Sequence, residues 1–170
     1  HCRIGGMYDA VPHTRPLPVM GSLDGEDLAM AGVHGVTSLR GARYQGPTSI
    51  MNLLAEKVGP LGVENMTLMV RLPQYVQLEE DYSGAARLLN VLCSIYNFPE
   101  ELSTSRRGQR QYERISAEMD RNAGVRALVE RLELDYDARV DSSLQEESIT
   151  PLSPAVEEFL RDLSSQMDNP

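Results

Sequence analysis

The residues best suited to chemistry lie in a proline-rich stretch near the start of the chain, Val11-Pro-His-Thr-Arg-Pro-Leu-Pro-Val19. Its prolines fix φ and lack an amide N–H, so no helix runs through it and the segment is stiff. An arginine offers an anion a two-pronged fork and a threonine offers a hydroxyl, so His13, Thr14 and Arg15 predict an anion or small-ligand site. The competing interpretation, which a net-acidic chain favours, is that Arg15 pairs with a carboxylate and His13 holds the loop.

Two later segments also carry groups that can bind a ligand. Gly46-Pro-Thr-Ser49 opens a predicted helix, where free N–H groups and hydroxyls form an anion site, although the lysine of a phosphate loop is absent. Arg71-Leu-Pro-Gln-Tyr75 follows a predicted strand and should leave the same sheet edge as His13. Its Gln74 and Tyr75 are then placed to hydrogen-bond a ligand. The competing interpretations are a capped helix and a turn with a buried tyrosine.

Reactive groups for catalysis are sparse in this sequence. The nucleophile motif Gly-x-Ser-x-Gly is absent, and the only histidines are His1, His13 and His34. Cys2 and Cys93 are far apart and have no CxxC partner, so neither a disulfide framework nor a metal site is predicted. We assign no catalytic residue, no metal and no cofactor, and the residues favour binding over catalysis.

Composition limits the class of protein. A chain of 170 residues with 41% hydrophobic residues can bury a core without disulfides. Its net charge of −9 argues against general affinity for nucleic acid or anionic membranes, and no apolar run approaches membrane-spanning length. With two reduced thiols, these features predict a cytoplasmic protein. Because the chain opens within strand-like residues, we expect an N-terminal half to be absent or to lie on another chain.

The hydrophobic pattern predicts an α/β order up to residue 99. Strands are predicted at residues 4–7, 17–22 and 66–72, the first and last of them buried. Helices are predicted over residues 24–32, from residue 47 or 48 to 59, and from Asp81 or Ser83 to Asn97. Residues 33–45 are predicted as a loop with some extended backbone.

Beyond residue 99 the sequence has no strand-like run and many charges. Apolar positions predict a helical hairpin broken near residues 121–124, then a polar linker over residues 141–150 and a last helix from Ser153. The predicted organisation is therefore an α/β part over residues 1–99 and an all-helical subdomain over residues 100–170.

Three motifs, in this order, carry a resemblance to a known family. They are the stretch 11–19, Tyr44-Gln-Gly-Pro-Thr-Ser-Ile50 and Leu72-Pro-Gln-Tyr-Val76. Together with residues 125–133 and 135–138 of the helical tail, they resemble the actinobacterial branch of the proteasome assembly chaperone 2 family. The resemblance covers nearly the whole chain and corresponds to the C-terminal portion of that family.

The resemblance implies part of a three-layer α/β/α core similar to purine nucleoside phosphorylases, with a lid-like helical subdomain over a cleft. It implies a homo-oligomer, with a trimer among the plausible forms. The residues that would line or support the cleft are His13, Thr14, Arg15, Tyr44, Gly46, Pro47, Thr48 and Tyr75. Relatives often carry histidine where this chain has Gln74, and an amide does not titrate, so acid–base catalysis there is in doubt.

Two functions follow as expectations. The first is an oligomeric protein-interaction or assembly-chaperone-like module, with a possible protein partner. The second is a protein that binds an unidentified small molecule, nucleoside-like or anion-like, or a hydrolase- or phosphorylase-like enzyme, with the cleft at His13 and Arg15. The first predicts a large apolar or complementary surface, with the cleft empty or plugged. The second predicts that His13, Arg15 and Thr48 converge on one open volume.

Overall fold

The computed structural model describes residues 1–29, 32–33, 35–37 and 50–148. The strands in these residues are β1 (Cys2–Asp9), β2 (Val19–Leu23), β3 (Glu26–Asp27), β4 (Val36–Thr37) and β5 (Met66–Pro73). The α-helices are α1 (Ile50–Val58), α2 (Tyr82–Tyr96), α3 (Arg106–Met119) and α4 (Ala123–Ser148), and short 3-10 helices span Gly59–Leu61 and Glu100–Ser103. The predicted α/β class is confirmed. One compact unit runs from His1 to Glu133 and a second begins at Leu134.

The described strands form one sheet built around β5. Its order is β1-β5-β2-β3, and β4 pairs with β2. β5 runs parallel to β1 but antiparallel to β2, so the sheet is mixed. Met66, Leu68 and Val70 of β5 are buried, whereas the residues between them are only partly buried. The predicted strand is confirmed, but burial on both faces is wrong, because full cover exists on one face only.

β1 is confirmed as a strand, but the prediction that it is buried is wrong. Among the described residues it pairs with β5 alone, and its positions alternate between exposed and partly buried. Ile4 and Tyr8 are 52% and 51% exposed. A glycine-rich apolar run therefore reads like a core strand although it lies at the edge of the described sheet.

The helix predicted over residues 24–32 is wrong for the residues that the structure describes. β2 instead turns back at Asp24 and Gly25 to form β3. Both turn residues have positive φ, 49° and 89°, which is the geometry that an Asp-Gly pair gives a two-residue hairpin. The early acidic residues that suggested a helix start belong to this turn and to β3.

α2 begins and ends where the sequence predicts. The side chain of Asp81 accepts a hydrogen bond from the backbone N–H of Gly84 at 2.7 Å, and Asn97 ends the helix with φ at 52°. Leu88 and Val91 pack in the core cluster with β5. Leu89 is 42% exposed, so it lies away from this packed face.

The two helices predicted after residue 99 are confirmed as α3 and α4, whose break includes Arg121 and Asn122, whereas their packing as a hairpin stays a prediction. The linker predicted over residues 141–150 is wrong up to residue 148, because α4 continues to Ser148. No glycine or proline occurs in residues 141–148, so nothing there stops the helix. The predicted helix from Ser153 lies outside the described residues, and the division into domains at residue 99 stays a prediction.

Candidate functional site

The site lies where β1 and β5 end side by side. Because the two strands are parallel and Asp9 pairs with Pro73, the chain leaves both at the same edge of the sheet. Arg71 forms an ion pair with Asp9 at 3.0 Å, and the N–H of Gln74 donates to the carbonyl of Asp9 at 3.0 Å. These contacts bring the proline-rich loop and Tyr75 together, as the sequence analysis expects.

His13 is buried, with 6% of its surface exposed, and both of its ring nitrogens have partners. Nδ1 lies 2.8 Å from the hydroxyl of Tyr75, and Nε2 lies 2.9 Å from the hydroxyl of Ser116. The backbone N–H of His13 also donates to Tyr75 at 2.8 Å, and Ser116 donates to the carbonyl of Tyr112 at 3.1 Å. The tautomer with hydrogen on Nε2 satisfies this whole chain, since Tyr75 then donates to Nδ1.

Burial also fixes the charge at this corner. It lowers the pKa of His13, although the nearby carboxylates of Glu133 and Asp120 act in the opposite direction. Burial raises the pKa of Tyr75 and, together with the neighbouring Asp81 carboxylate, raises that of Tyr112. At neutral pH the imidazole and the two phenols are therefore uncharged.

Thr14 and Arg15 both bond to Glu133, which lies in the first half of α4. The Thr14 hydroxyl donates to one carboxylate oxygen, and Nη1 of Arg15 lies 3.2 Å from the same oxygen. The arginine side chain keeps 34% of its surface exposed. The sequence left open whether Arg15 pairs with a carboxylate or faces a ligand. The pairing exists, and Arg15 still lines the cavity described next.

A cavity of about 750 Å³ opens beside His13. One wall is the loop from His13 to Leu17, and a second is a face of α2 that carries Ser83 and Arg87. The third wall is α3, which approaches α2 closely, because a Cβ on Gly108 would lie 2.6 Å from the hydroxyl of Ser83. A smaller cavity of about 200 Å³ adjoins His13 on the side of α4.

The predicted site residues divide into three groups. His13 and Tyr75 meet directly, and Thr14 and Arg15 stand beside them on Glu133. Gln74 is exposed, with its backbone rather than its side chain tied to β1. The remaining predicted residues, Tyr44, Gly46, Pro47 and Thr48, lie outside the described residues.

Several partners at this site were missed by sequence reasoning. Ser116 and Tyr112 stand on α3, and neither was predicted as a site residue. Asp81, predicted only as a possible start of α2, also accepts the hydroxyl of Tyr112 at 2.7 Å. Polar residues at helical spacing on α2 and α3 were the available signal for a shared wall.

Metal and membrane features are few in the part of the chain that the structure describes. No cluster of His, Cys, Asp and Glu side chains there is arranged to hold a metal ion. None of its helices combines the length and apolar character needed to cross a bilayer.

Comparisons with known proteins place this arrangement among solved structures. A model described as the PAC2 family matches residues 2–123. A Mycobacterium tuberculosis protein of unknown function aligns with TM-score 0.71 and 23% identity, over 87% of this chain and 49% of its own length. A Corynebacterium glutamicum protein of unknown function aligns with TM-score 0.70 and 19% identity, over 83% and 51%. No match was found among curated proteins.

A further structure carries a functional description. It is a Mycobacterium tuberculosis proteasome-assembly chaperone homologue, aligned with TM-score 0.57 and 21% identity over 75% of this chain and 52% of its own. At such identities the likeness shows the fold. This chain spans about half the length of each of these solved structures.

Proposed function

Because this chain belongs to the PAC2 family, we propose that it is an oligomeric protein-interaction module of the assembly-chaperone kind. One similar structure is described as a proteasome-assembly chaperone homologue, and we carry over the class of role, the binding of polypeptides. We also propose a cytoplasmic location, which the two free cysteines, Cys2 and Cys93, fit.

The observation that carries the proposal is the edge of β1 opposite β5, which no other strand covers among the residues that the structure describes. The carbonyls of His1 and Asp9 accept hydrogen bonds from the N–H groups of Met66 and Gln74, at the two ends of the β1–β5 pairing. In a parallel pair, alternate residues direct their backbone groups towards the partner, so the groups of Ile4, Gly6 and Tyr8 point away from β5. An exposed edge of this kind is a template for an added strand.

We take the occupant of this edge to be a second copy of the chain. If β1 pairs antiparallel with itself about Gly6, Arg3 lies opposite Asp9 and Ile4 lies opposite Tyr8 on the other copy. The register therefore matches opposite charges on one face and two exposed apolar side chains on the other. A contact about a two-fold axis gives a dimer.

α1 offers a second apolar surface. None of its residues is buried, and Ile50 is 80% and Leu53 50% exposed. Isolated exposed apolar residues are ordinary, but a whole uncovered helix stripe is typical of a contact surface. A trimer, which the resemblance allows, would use this stripe rather than the two-fold contact of β1.

The register can be tested by charge placement. Native mass spectrometry of the purified chain should show dimers. The double variant Ile4→Lys/Tyr8→Lys places lysines opposite each other and should raise the dimer dissociation constant about tenfold or more. The variant Ile4→Lys/Tyr8→Glu restores opposite charges at both pairs and should recover the dimer.

Two results would overturn the proposed contact. One is a monomer at every concentration, and the other is equal dimerisation of the two double variants, which would show that β1 is not paired in this register. Circular dichroism of both variants serves as the folding control. The alternative function, ligand binding or catalysis, concerns a different part of the molecule, the cavity beside His13.

A further inference from the structure

We propose that the cavity beside His13 binds a small phosphorylated polyol, an organic molecule with one phosphate group and several hydroxyls. The proposal concerns a site separate from the β1 edge and does not depend on the interaction role. At about 750 Å³ the cavity falls within the range of about 300–1,000 Å³ that is usual for small-molecule sites.

Two helix faces turn polar side chains towards this volume. Ser83, Arg87 and Asn90 follow one another at helical spacing on α2, and Gln109, Glu113 and Ser116 do so on α3. The core of α2 lies on a different face, at Leu88 and Val91. Arg87, Asn90 and Ser116 already have partners within the protein. Ser83, Gln109 and Glu113 add hydroxyl, amide and carboxylate groups along the same volume, and a ligand rich in hydroxyls can bond with them.

Positive and negative side chains lie on different walls of the cavity. Nε of Arg87 donates to the carbonyl of Leu17 at 3.0 Å, and Nη2 donates to that of Gly35 at 2.8 Å. These bonds hold the guanidinium of Arg87 at the loop wall. Its acceptor Leu17 lies two residues after Arg15 in the chain. Glu113 stands on α3, a different wall. Two arginines and one glutamate therefore line a cavity in a chain whose net charge is −9.

This asymmetry assigns one end of the ligand to each wall. Arginine at the loop end suits the oxygens of a phosphate, and its prior hydrogen bonds reduce the entropy lost on binding. A carboxylate accepts hydrogen bonds from hydroxyls, so Glu113 suits the polyol end. The serine and amide side chains between them can donate or accept as the hydroxyls require.

His13 holds the cavity wall in shape. Its two ring nitrogens already bond to Tyr75 and Ser116, and the ring is neutral because burial lowers its pKa. It is thus a positioning residue that fixes Ser116 in the wall. The phosphate charge is met by the arginines.

Isothermal titration calorimetry with three probes tests the ligand class. Glucose 6-phosphate should bind at least about tenfold more tightly than glucose or inorganic phosphate, because it alone engages both walls. Absence of binding of glucose 6-phosphate at millimolar concentration overturns the proposal. Equal affinity for glucose overturns the phosphate end, and equal affinity for inorganic phosphate overturns the polyol end.

Matched variants assign the two ends. Arg15→Gln should lower the affinity for glucose 6-phosphate about tenfold and leave the affinity for glucose unchanged. Arg110→Gln, the same change at an exposed position of α3, should change neither affinity. Glu113→Gln should lower the affinity for glucose 6-phosphate and leave the affinity for inorganic phosphate unchanged. Glu118→Gln is its control. Effects of equal size in variant and control overturn the site. Repeating the titration on Ile4→Lys/Tyr8→Lys separates ligand binding from dimerisation.

Discussion

Within the described residues, the corner at His13 and the edge at β1 differ in how fully their polar groups are hydrogen-bonded. At the corner, the phenol of Tyr75, the buried imidazole of His13, the hydroxyl of Ser116 and the backbone carbonyl of Tyr112 form one connected hydrogen-bond chain. At the edge, Ile4 and Tyr8 remain half exposed, and alternate backbone groups face away from the sheet. A saturated network specifies one arrangement, whereas an unpaired strand accepts new partners. The contrast indicates that the corner provides rigidity and the edge provides contact.

The largest effect should come from removing the imidazole. His13→Ala should lower the free energy of unfolding by about 3 kcal/mol, because it leaves a cavity and deprives Tyr75 and Ser116 of their shared partner. Ile4→Ala at the edge should cost less than about 1 kcal/mol, because the side chain is half exposed. Urea unfolding at concentrations where the chain is monomeric measures both. Equal losses would remove the distinction between corner and edge.

A smaller effect distinguishes two tyrosine hydroxyls. Tyr112→Phe removes a hydrogen bond of 2.7 Å to the carboxylate of Asp81. Bonds to charged groups are the stronger ones, so the loss should be about 2 kcal/mol in thermal or urea unfolding. Tyr8→Phe on β1, where the ring is half exposed, should change stability by less than about 0.5 kcal/mol. A neutral Tyr112→Phe would mean that this contact does not hold α3 in place.

The smallest effect is a dependence on pH. The pKa of His13 is lower in the folded protein than in the unfolded chain, so the unfolded state binds the proton more readily. Its contribution is complete above about pH 6.5 and is lost as pH falls towards the folded value, by at most about 1.4 kcal/mol per pH unit. Unfolding free energies from about pH 8 to about pH 5 should fall more steeply for the wild type than for His13→Gln. Parallel curves would show that the ring is not held neutral.

The parts of the fold that follow from sequence are those set by local chemistry. An apolar run predicts β5. Asp81 and Asn97 mark the ends of α2, because capping depends on neighbouring residues. The Asp24-Gly25 turn is equally local, but its acidic residues also resemble a helix start, so the pattern alone does not separate a hairpin from a helix.

Local sequence signals predict only part of the candidate site. Proline chemistry and strand ends were enough to place His13 near Tyr75, and the family resemblance pointed to the same pair. Ser116 and Glu133, in contrast, are more than one hundred residues away from the loop they bond. Their partnership depends on how α3 and α4 pack, and no spacing within the sequence encodes it.

Asp81 joins two helices through a single carboxylate. One oxygen caps the first turn of α2 by accepting from Gly84, and the other accepts the hydroxyl of Tyr112 on α3. The start of α2 therefore cannot fray without also releasing α3. The backbone amides of both helices should consequently exchange with solvent deuterium as one cooperative unit, so that the two cavity walls they form open and close together.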